Sequence, residues 1–317
     1  GTIRQTSSAA MNIAAARLSN TAGGVIGLEP VAQAPSPGTG TGGTGAGTAP
    51  PTPAPTPTPE GPAASGEPIT PAPYVPPSPG TLTADSAILN DGGKIYAGGA
   101  IDLQSADIDN SGGSLSLARM AVTQPRFSNR GGTLNIANGF SADVDRFDNT
   151  EGKLNAGSLA ITTTGDFLNV DGTLASGSDA NLTIGGDADN RRGTVSATGV
   201  LTADIAGAAD NTGGTLVANQ AVNLAAGSLT NTGGNIQSVQ AGVEANVAGW
   251  LDNGKGGAIG AATDLNLQAG LLANAGNLRA GNDVDVRVNG AMTQAGSLTA
   301  GRNATVTVCH SRTRELA

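Results

Sequence analysis

One short unit recurs along most of this chain. The stretch DNTGGTLVANQAVNLAAGSLTNTGGNI, residues 210 to 236, contains the turn motif Asn-Thr-Gly-Gly twice, 20 residues apart. The asparagine that opens the motif recurs as Asn20, Asn90, Asn110, Asn129, Asn149, Asn169, Asn190, Asn211, Asn231, Asn253 and Asn274, and Gln294 takes its place in the last copy. From Asn90 onward the spacing stays between 19 and 22 residues. Such a period constrains the fold strongly, because each copy must adopt the same local structure and pack on its neighbours.

Two apolar columns accompany the asparagine. The column five residues after it holds Val25, Ile95, Leu115, Leu134, Leu154, Leu174, Val195, Leu216 and Ile236, with Ile259, Leu278 and Leu298 displaced by one residue. The column two residues before it holds Leu18, Ile88, Ile108, Phe127, Phe147, Phe167, Ala188, Ala209, Leu229, Leu251, Leu272 and Met292. Between the columns, period-two stretches such as Val222-Asn223-Leu224 place alternate side chains on a core and in solvent. Each unit is therefore predicted to contain about three short strands and no helix.

These features predict an all-β fold, a parallel β-helix of about 20-residue coils. Each strand of such a coil pairs with its copy in the next coil at about 4.8 Å, so the intervals from Asn90 to Gln294 predict a rod of roughly 48 Å. A leucine-rich repeat also permits this period. It requires Leu-x-x-Leu-x-Leu-x-x-Asn in each copy and a helical return, however, and the leucine spacing fails here.

Equal positions of successive coils are expected to stack into ladders. Phe127, Phe147 and Phe167 are predicted to form an internal aromatic stack, in which each offset ring pair adds about 0.5 to 1.5 kcal/mol beyond burial. The asparagines are predicted to adopt the left-handed conformation at the turn. Their amides are expected to donate to the next coil and accept from the previous one. Leu115, Leu134, Leu154, Leu174 and Leu216 complete the predicted structural ladder.

A proline-rich insertion interrupts the repeat. Sixteen of the 17 prolines lie between Pro30 and Pro79, in a stretch without Lys or Arg. Such a segment buries too little surface to offset its ordering entropy, which predicts a disordered or polyproline II loop that leaves and re-enters one coil. A linker is favoured over a ligand for proline-reading modules. The predicted organisation is a β-helix coil over 1–28, the Pro/Gly/Thr-rich loop over 29–80, a β-helix array over 81–308 and an off-template tail over 309–317.

The composition argues against several function classes. The net charge of −9 disfavours nucleic acid or an anionic membrane as a partner, because both require clustered Lys and Arg. Cys309 and His310 are the only residues of their types, so neither a metal site, a cofactor nor a nucleophilic catalytic set is expected. No apolar stretch is long enough to predict a membrane span, and the opening GTIRQ is interpreted as the start of an internal fragment.

The charged side chains give no catalytic cluster. Asp143 and Asp145 share a strand face, but the positions assigned to the next coil, Thr163 and Gly165, are not acidic. A charged column three residues before the asparagine holds Asp107, Arg126, Arg146, Asp166 and Asp187. It is interpreted as weak surface ion pairs that hold the register, with a ligand-binding stripe as the alternative. Trp250 falls in an exposed column, where it is either a partner anchor or an ordinary surface residue.

The units LSNTAGG, IDNSGGSL, FSNRGGTL, FDNTEGKL, ADNTGGTL and LTNTGGNI resemble the repeats of the filamentous haemagglutinin family, the large exoproteins of bacterial two-partner secretion. The resemblance covers residues 1–28 and 81–308. It implies an exported adhesin, secreted or at the bacterial cell surface, with a right-handed β-helical shaft. It also implies an outer-membrane two-partner transporter as a partner. The chain has no Arg-Gly-Asp tripeptide, and the resemblance assigns no binding residue to it.

The predicted function is therefore structural and adhesive rather than enzymatic. The chain would form the shaft of a haemagglutinin-like adhesin that attaches to host-cell or bacterial glycans or proteins through many weak contacts. The same repeats occur in exoproteins of contact-dependent growth inhibition, so a stick region of such a toxin is one alternative. A carbohydrate-active β-helix enzyme is another, and it requires a carboxylate cluster on the outer strand faces.

Overall fold

The computed structural model describes residues 2–3, 12–27, 80–105 and 107–309. Within these ranges every regular element is a β-strand, and the strands stack in parallel as a solenoid of about 11 turns, roughly 20 residues apart. This confirms the predicted β-solenoid. Most of the predicted loop over 29–80, and residues 310–317 of the predicted tail, lie outside the described residues.

Each coil has three strand positions, which we call A, B and C. Position A follows the asparagine turn, position B comes next, and position C leads into the next asparagine. Strands confined to position A are β1 (Thr2–Ile3), β4 (Val25–Ile26), β13 (Thr173–Ser176), β16 (Thr194–Ala197), β18 (Thr215–Ala218), β20 (Asn235–Ser238), β22 (Ala258–Ala261), β24 (Asn277–Ala280) and β27 (Ser297–Ala300). Strands confined to position B are β2 (Asn12–Ala15), β5 (Gly80–Ala84), β14 (Ala180–Ile184), β25 (Val284–Val288) and β28 (Ala304–Val308). Strands confined to position C are β3 (Leu18–Ser19), β6 (Ala87–Leu89), β8 (Asp107–Asp109), β12 (Phe167–Leu168), β15 (Ala188–Asp189) and β26 (Met292–Gln294).

The remaining strands run through a corner of the coil. Positions A and B are joined in β7 (Lys94–Gln104) and β11 (Lys153–Thr163), and positions B and C in β17 (Leu201–Asp210), β19 (Val222–Thr230), β21 (Val243–Asn253) and β23 (Leu265–Asn274). All three positions are joined in β9 (Ser114–Ser128) and β10 (Thr133–Asp148). The sequence predicted three separate strands in every unit. The corners that hold Gly177 and Gly199 interrupt the strands, whereas β9 and β10 continue through all of theirs.

The described residues on both sides of the insertion belong to adjoining coils. β4 ends at Ile26 in position A, and β5 begins at Gly80 in position B, so the chain resumes at the next position of the coil. Gly80 was assigned to the loop from sequence and instead pairs with Ile101. β2, β3 and β4 pair in parallel with β5, β6 and β7, so the first coil stacks directly on the second.

The aliphatic column after the turn forms a continuous core ladder. Its members pair coil by coil in the order Ile26, Ile95, Leu115, Leu134, Leu154, Leu174, Val195, Leu216, Ile236, Ile259, Leu278 and Leu298. The assignment of Val25 to this column was wrong. Val25 pairs with Lys94, and the buried Ile26 occupies the column. The cause is one extra residue in the turn after Asn20, like the one in the turn after Asn253.

Four phenylalanines form an aromatic block in the core. The ring centroids of Phe127 and Phe147 lie 5.2 Å apart at an interplanar angle of 21°, and those of Phe147 and Phe167 lie 5.7 Å apart at 10°. Phe140, which the sequence analysis did not single out, projects from position B. Its ring lies edge-on to Phe147 at 6.1 Å and is tilted against Phe127 at 5.8 Å. The block thus joins positions B and C within one coil as well as stacking successive coils.

A register shift changes the strand partner of Asp143. β10 and β11 shift by one residue between Ile136 and Gly139. Asp143 therefore pairs with Thr162 rather than with Thr163. Asp145 contacts two residues of the next coil: its carboxylate accepts a hydrogen bond of 2.8 Å from the hydroxyl of Thr164, and its backbone carbonyl accepts the N–H of Gly165 at 2.9 Å.

Replacing Phe147 tests this core directly. Phe147→Asp is expected to lower the free energy of unfolding by several kcal/mol, because a carboxylate would be buried among aromatic rings without a partner. Asp143→Ala alters an exposed side chain and is expected to cost less than about 0.5 kcal/mol. Urea unfolding followed by far-ultraviolet circular dichroism measures both. Equally small effects of the two changes would contradict the assigned register.

Candidate functional site

A buried amide ladder runs along the solenoid beside the aliphatic core. In each coil the asparagine Nδ2 donates to the Oδ1 of the next asparagine over 2.7 to 2.9 Å, and Asn274 donates to the Oε1 of Gln294 over 3.0 Å. The ladder is unbroken through Asn20, Asn90, Asn110, Asn129, Asn149, Asn169, Asn190, Asn211, Asn231, Asn253, Asn274 and Gln294. All of its asparagines are buried. Each inner amide thus accepts from one neighbouring coil and donates to the other.

In most coils the amide also fixes its own turn. In the coil of Asn149, Nδ2 also lies 3.2 Å from the carbonyl oxygen of Gly152 in its own turn and 3.3 Å from that of Thr173 in the next coil. The backbone N–H of Asn149 donates to the carbonyl oxygen of Leu168 over 2.8 Å. One residue therefore links its own turn, position A of the next coil and the next rung. Because a buried amide without partners costs about 1–3 kcal/mol, this geometry strongly favours alignment of the coils.

The left-handed residue of the turn is not the asparagine, so that prediction was wrong. The carbonyl oxygen of Asn129 accepts the N–H of Gly132 at 3.0 Å, which makes the asparagine the first residue of a four-residue turn. The third position of this turn has a positive φ, as in a type II turn. It is held by Gly92, Gly112, Gly131, Gly213 and Gly233 in five coils and by Glu151, Asp171 and Arg192 in three others.

The two glycines of the motif serve different purposes. A Cβ on Gly131, at φ 59°, would meet nothing within 4 Å, so this position requires glycine only for its backbone dihedral. A Cβ on Gly132 would lie 2.2 Å from the carbonyl oxygen of Asn110 and 2.6 Å from the Oδ1 of Asn129. The second glycine is therefore required for space, because the ladder passes directly over it.

A carboxylate before the asparagine stabilises several turns. Oδ1 of Asp148 accepts the N–H of Thr150 at 3.0 Å. Asp109, Asp189 and Asp210 accept the equivalent N–H in their coils. Such side-chain turns satisfy a backbone donor that lies outside the strands. This hydrogen-bonding role was not predicted from the sequence, although the recurring Asp-Asn pair indicates it.

Several ion pairs form at the asparagine turns, outside the predicted charged column. Arg192 donates to Asp171 of the previous coil through two hydrogen bonds of 2.7 and 2.6 Å. This contact lowers the pKa of Asp171, chiefly through the hydrogen bond, and raises that of Arg192. Arg191 makes a similar contact with Asp189, and its pKa is raised by it. These pairs are exposed and screened by water, so their individual effect on stability is small.

The prediction of ion pairs along the charged column was wrong. Asp107, Arg126, Arg146, Asp166 and Asp187 form no salt bridge with one another, although Asp107 and Arg126 are register partners. Asp166 instead accepts the backbone N–H of Asp187 at 3.1 Å, and Asp187 accepts that of Ala208 at 2.8 Å. The two carboxylates at this corner therefore accept hydrogen bonds from backbone N–H groups.

On the outer faces of the described coils, few side chains cluster into a candidate binding site. Trp250 and Leu271 are register partners in position C, with 56% and 46% of their surfaces exposed, and form a small apolar pair. Among the described residues no group of three or more His, Cys, Asp or Glu side chains is placed to hold a metal ion. The same part of the chain contains no helix long and apolar enough to cross a membrane. Cys309 is exposed at the end of the last described strand.

An unbroken amide ladder beside a thin aliphatic core defines a structural repeat protein of the parallel β-solenoid class. Residues 79–124, 122–171 and 261–308 each match the haemagglutinin repeat. The chain therefore contains haemagglutinin repeats, and the three matches support the resemblance to the filamentous haemagglutinin family seen in its units. Neither a curated protein nor a solved structure matches the chain at a significant level.

The repeat structure continues between the matched segments. Residues 172–260 are not matched by the repeat, yet Asn190, Asn211, Asn231 and Asn253 extend the ladder through them without a gap. The ladder hydrogen bonds of these coils are 2.7 to 2.9 Å long, like those of the matched coils. The ladder therefore traces the repeat more completely than the overall sequence similarity does.

Replacing one rung tests the energetic role of the ladder. Asn169→Ala removes the acceptor of Asn149 and the donor to Asn190, which leaves two buried groups unpaired and is expected to cost about 2–5 kcal/mol. Asn155→Ala is the matched control, because Asn155 also donates to an asparagine of the adjacent coil, Asn135, but is exposed. Its expected cost is below about 0.5 kcal/mol. Similar urea midpoints for the two variants would show that the ladder contributes no special stability.

The turn glycines give a second test. Glu151→Gly is expected to raise the free energy of unfolding by about 0.5–1 kcal/mol, because it relieves a positive φ of 57° at an exposed side chain. Gly131→Ala should lower it by about 1–2 kcal/mol through dihedral strain alone. Gly132→Ala should lower it further, since it also displaces the ladder. Thermal unfolding of the three variants ranks them, and equal losses for the two alanine variants would refute the separate roles of the glycines.

Proposed function

We propose that this chain forms part of the shaft of a bacterial adhesin that is exported and acts at the cell surface or after release. In this role the shaft attaches to host cells or to other bacteria. The observation that carries the proposal is the ladder from Asn20 to Gln294, because it extends the solenoid by repeating one structural unit. The haemagglutinin repeats support the same assignment.

The architecture suits a shaft that must withstand mechanical force. Each coil is joined to the next by parallel strand pairing at three positions and by an amide bond at the turn. Removal of one coil contact therefore leaves neighbouring coils intact, since stability in such proteins is nearly a sum over repeats and their interfaces. A rod of this kind resists bending without a thick core.

The outer surface suits many weak contacts with polar partners. In position B the exposed side chains of Asn181, Thr183, Asn223 and Asn266 point outward, on strands that repeat at about 4.8 Å. Amides and hydroxyls donate and accept hydrogen bonds without charge, which suits neutral glycans or protein loops. The net charge of −9 disfavours polyanionic glycans. Equivalent weak sites along one rod increase avidity without any single strong site.

Export in an unfolded state is compatible with this fold. With Cys309 as its only cysteine, the chain has no disulfide of its own to form before or during passage through an outer-membrane transporter. After emergence, each new coil would find a preformed strand edge and an amide acceptor on its neighbour. Folding would then propagate along the array.

Cell attachment tests the proposal. Beads coated with the full chain are expected to retain epithelial cells or bacteria above the level of beads coated with albumin. The double change Asn181→Asp and Asn223→Asp adds charge to the exposed B face, and it is expected to reduce retention without changing the circular dichroism spectrum. Asn155→Asp, on the exposed A face, is the matched control and should retain cells like the unmodified chain.

The result also separates the alternatives. Retention of neither cell type by a folded chain would overturn an adhesive role for these coils. Release of reducing sugars from a glycan panel incubated with the chain would instead identify an enzyme.

A further inference from the structure

We propose that Asn289-Gly290 is a site of spontaneous deamidation in the folded solenoid, whereas Asn253-Gly254 is protected from the same reaction by the amide ladder. The chain contains three Asn-Gly pairs, and the third is Asn138-Gly139. Asn-Gly is the dipeptide most prone to this chemistry, because glycine offers no side chain to obstruct ring closure. The three pairs occupy different environments, which predicts a graded reactivity.

The reaction needs only water and a mobile side chain. The backbone nitrogen of the glycine loses its proton and attacks the asparagine Cγ, a C–N bond forms, and the side-chain nitrogen leaves as ammonia. The resulting five-membered succinimide is opened by water at either carbonyl, which gives aspartate or isoaspartate. Closure therefore requires an unrestrained amide and a glycine N–H free to react.

Asn289 satisfies both requirements. It is exposed, and its side-chain amide makes no hydrogen bond within the described residues. Gly290 lies in the bend between β25 and β26, and its N–H makes no backbone hydrogen bond within the same part of the chain. Neither residue belongs to a strand, so strand pairing does not fix the dihedral angles that ring closure changes.

Asn253 has the same dipeptide but the opposite environment. Its Oδ1 accepts from Asn231 at 2.9 Å, its Nδ2 donates to Asn274 at 2.7 Å, and its side chain is fully buried. Its backbone carbonyl accepts two further N–H groups, from Ala275 and Gly276. The Cγ reaches the Gly254 nitrogen only after these contacts break. Reaction at Asn253 thus reports opening of the coil.

Gly254 is retained for a steric reason. A Cβ at this position would lie 2.0 Å from the Oγ1 of Thr232 in the previous coil. Every other ladder asparagine is followed by a residue larger than glycine. Asn253 is therefore the one ladder asparagine followed by glycine, and its burial and hydrogen bonds oppose the reaction. Asn138 is intermediate, since it is exposed but Gly139 is paired with Ser158 inside β10.

Peptide mapping by mass spectrometry tests the proposal. The full chain is incubated at pH 8.5 and 37 °C, natively and in 8 M urea, and the mass increase of deamidation is followed at each pair. In urea all three asparagines are expected to react at similar rates. In the native chain Asn289 should react within several-fold of its rate in urea, Asn138 more slowly, and Asn253 at least roughly tenfold more slowly.

Two variants identify the cause. Asn231→Ala removes the donor to Asn253 and should accelerate reaction at Asn253 but not at Asn289. Asn289→Gln keeps an exposed amide but lengthens the side chain, and it should abolish the reaction at that position. Equal native rates at Asn253 and Asn289 would overturn the proposal. So would a native Asn289 that reacts no faster than Asn253, and the wild-type comparison decides this even if Asn231→Ala does not fold.

Discussion

The hydrogen bond between successive ladder amides is the interaction on which this structure depends. A buried amide has to donate and accept, and an identical amide one coil away satisfies both needs at the spacing of paired strands. That arrangement places the same residue at the same point of every coil. It also explains the motif around the asparagine, because the carbonyl and amide of one rung lie where a side chain on the second glycine of the next turn would project. The turn sequence is therefore a consequence of the ladder.

The fold could be predicted from the sequence because units of fixed length stack as successive coils. The residue-by-residue assignments failed where the strand register departs locally from the period. The turn after Asn20 has an extra residue, so Ile26 rather than Val25 enters the core, and the shift between β10 and β11 changes the neighbour of Asp143. Counting residues from the asparagine located the extra residue after Asn253, but after Asn20 both Val25 and Ile26 are apolar, so the count could not decide between them. The turn geometry failed for a different reason. Both Asn and Gly tolerate a positive φ, and only the hydrogen bond from Gly132 to Asn129 decides which position adopts it.

The outer faces were less predictable than the core because the fold constrains them weakly. A core position must fit between its copies in two neighbouring coils, whereas an outward side chain such as Asn223 or Trp250 meets mostly water. Backbone demands still reach the surface at the corners. Asp166 and Asp187 cap backbone N–H groups there instead of pairing with the arginines of their column. A charge pattern alone therefore did not reveal what these carboxylates contact, and the identity of a receptor is equally unconstrained by the periodicity.

Three successive turns show how strongly the ladder holds the register. Glu151, Asp171 and Arg192 occupy the left-handed position that glycine holds in other coils, at a cost of about 1–2 kcal/mol each. An escape from this strain would require the turn to rearrange and would leave the adjoining amides without partners, at about 1–3 kcal/mol for each buried group. A rung has contacts on both sides, so the loss exceeds the relief. The exposed pair of Arg192 with Asp171 adds little to this balance, since it is screened by water. The amide ladder and the strands beside it thus determine the backbone even where the local residue disfavours it.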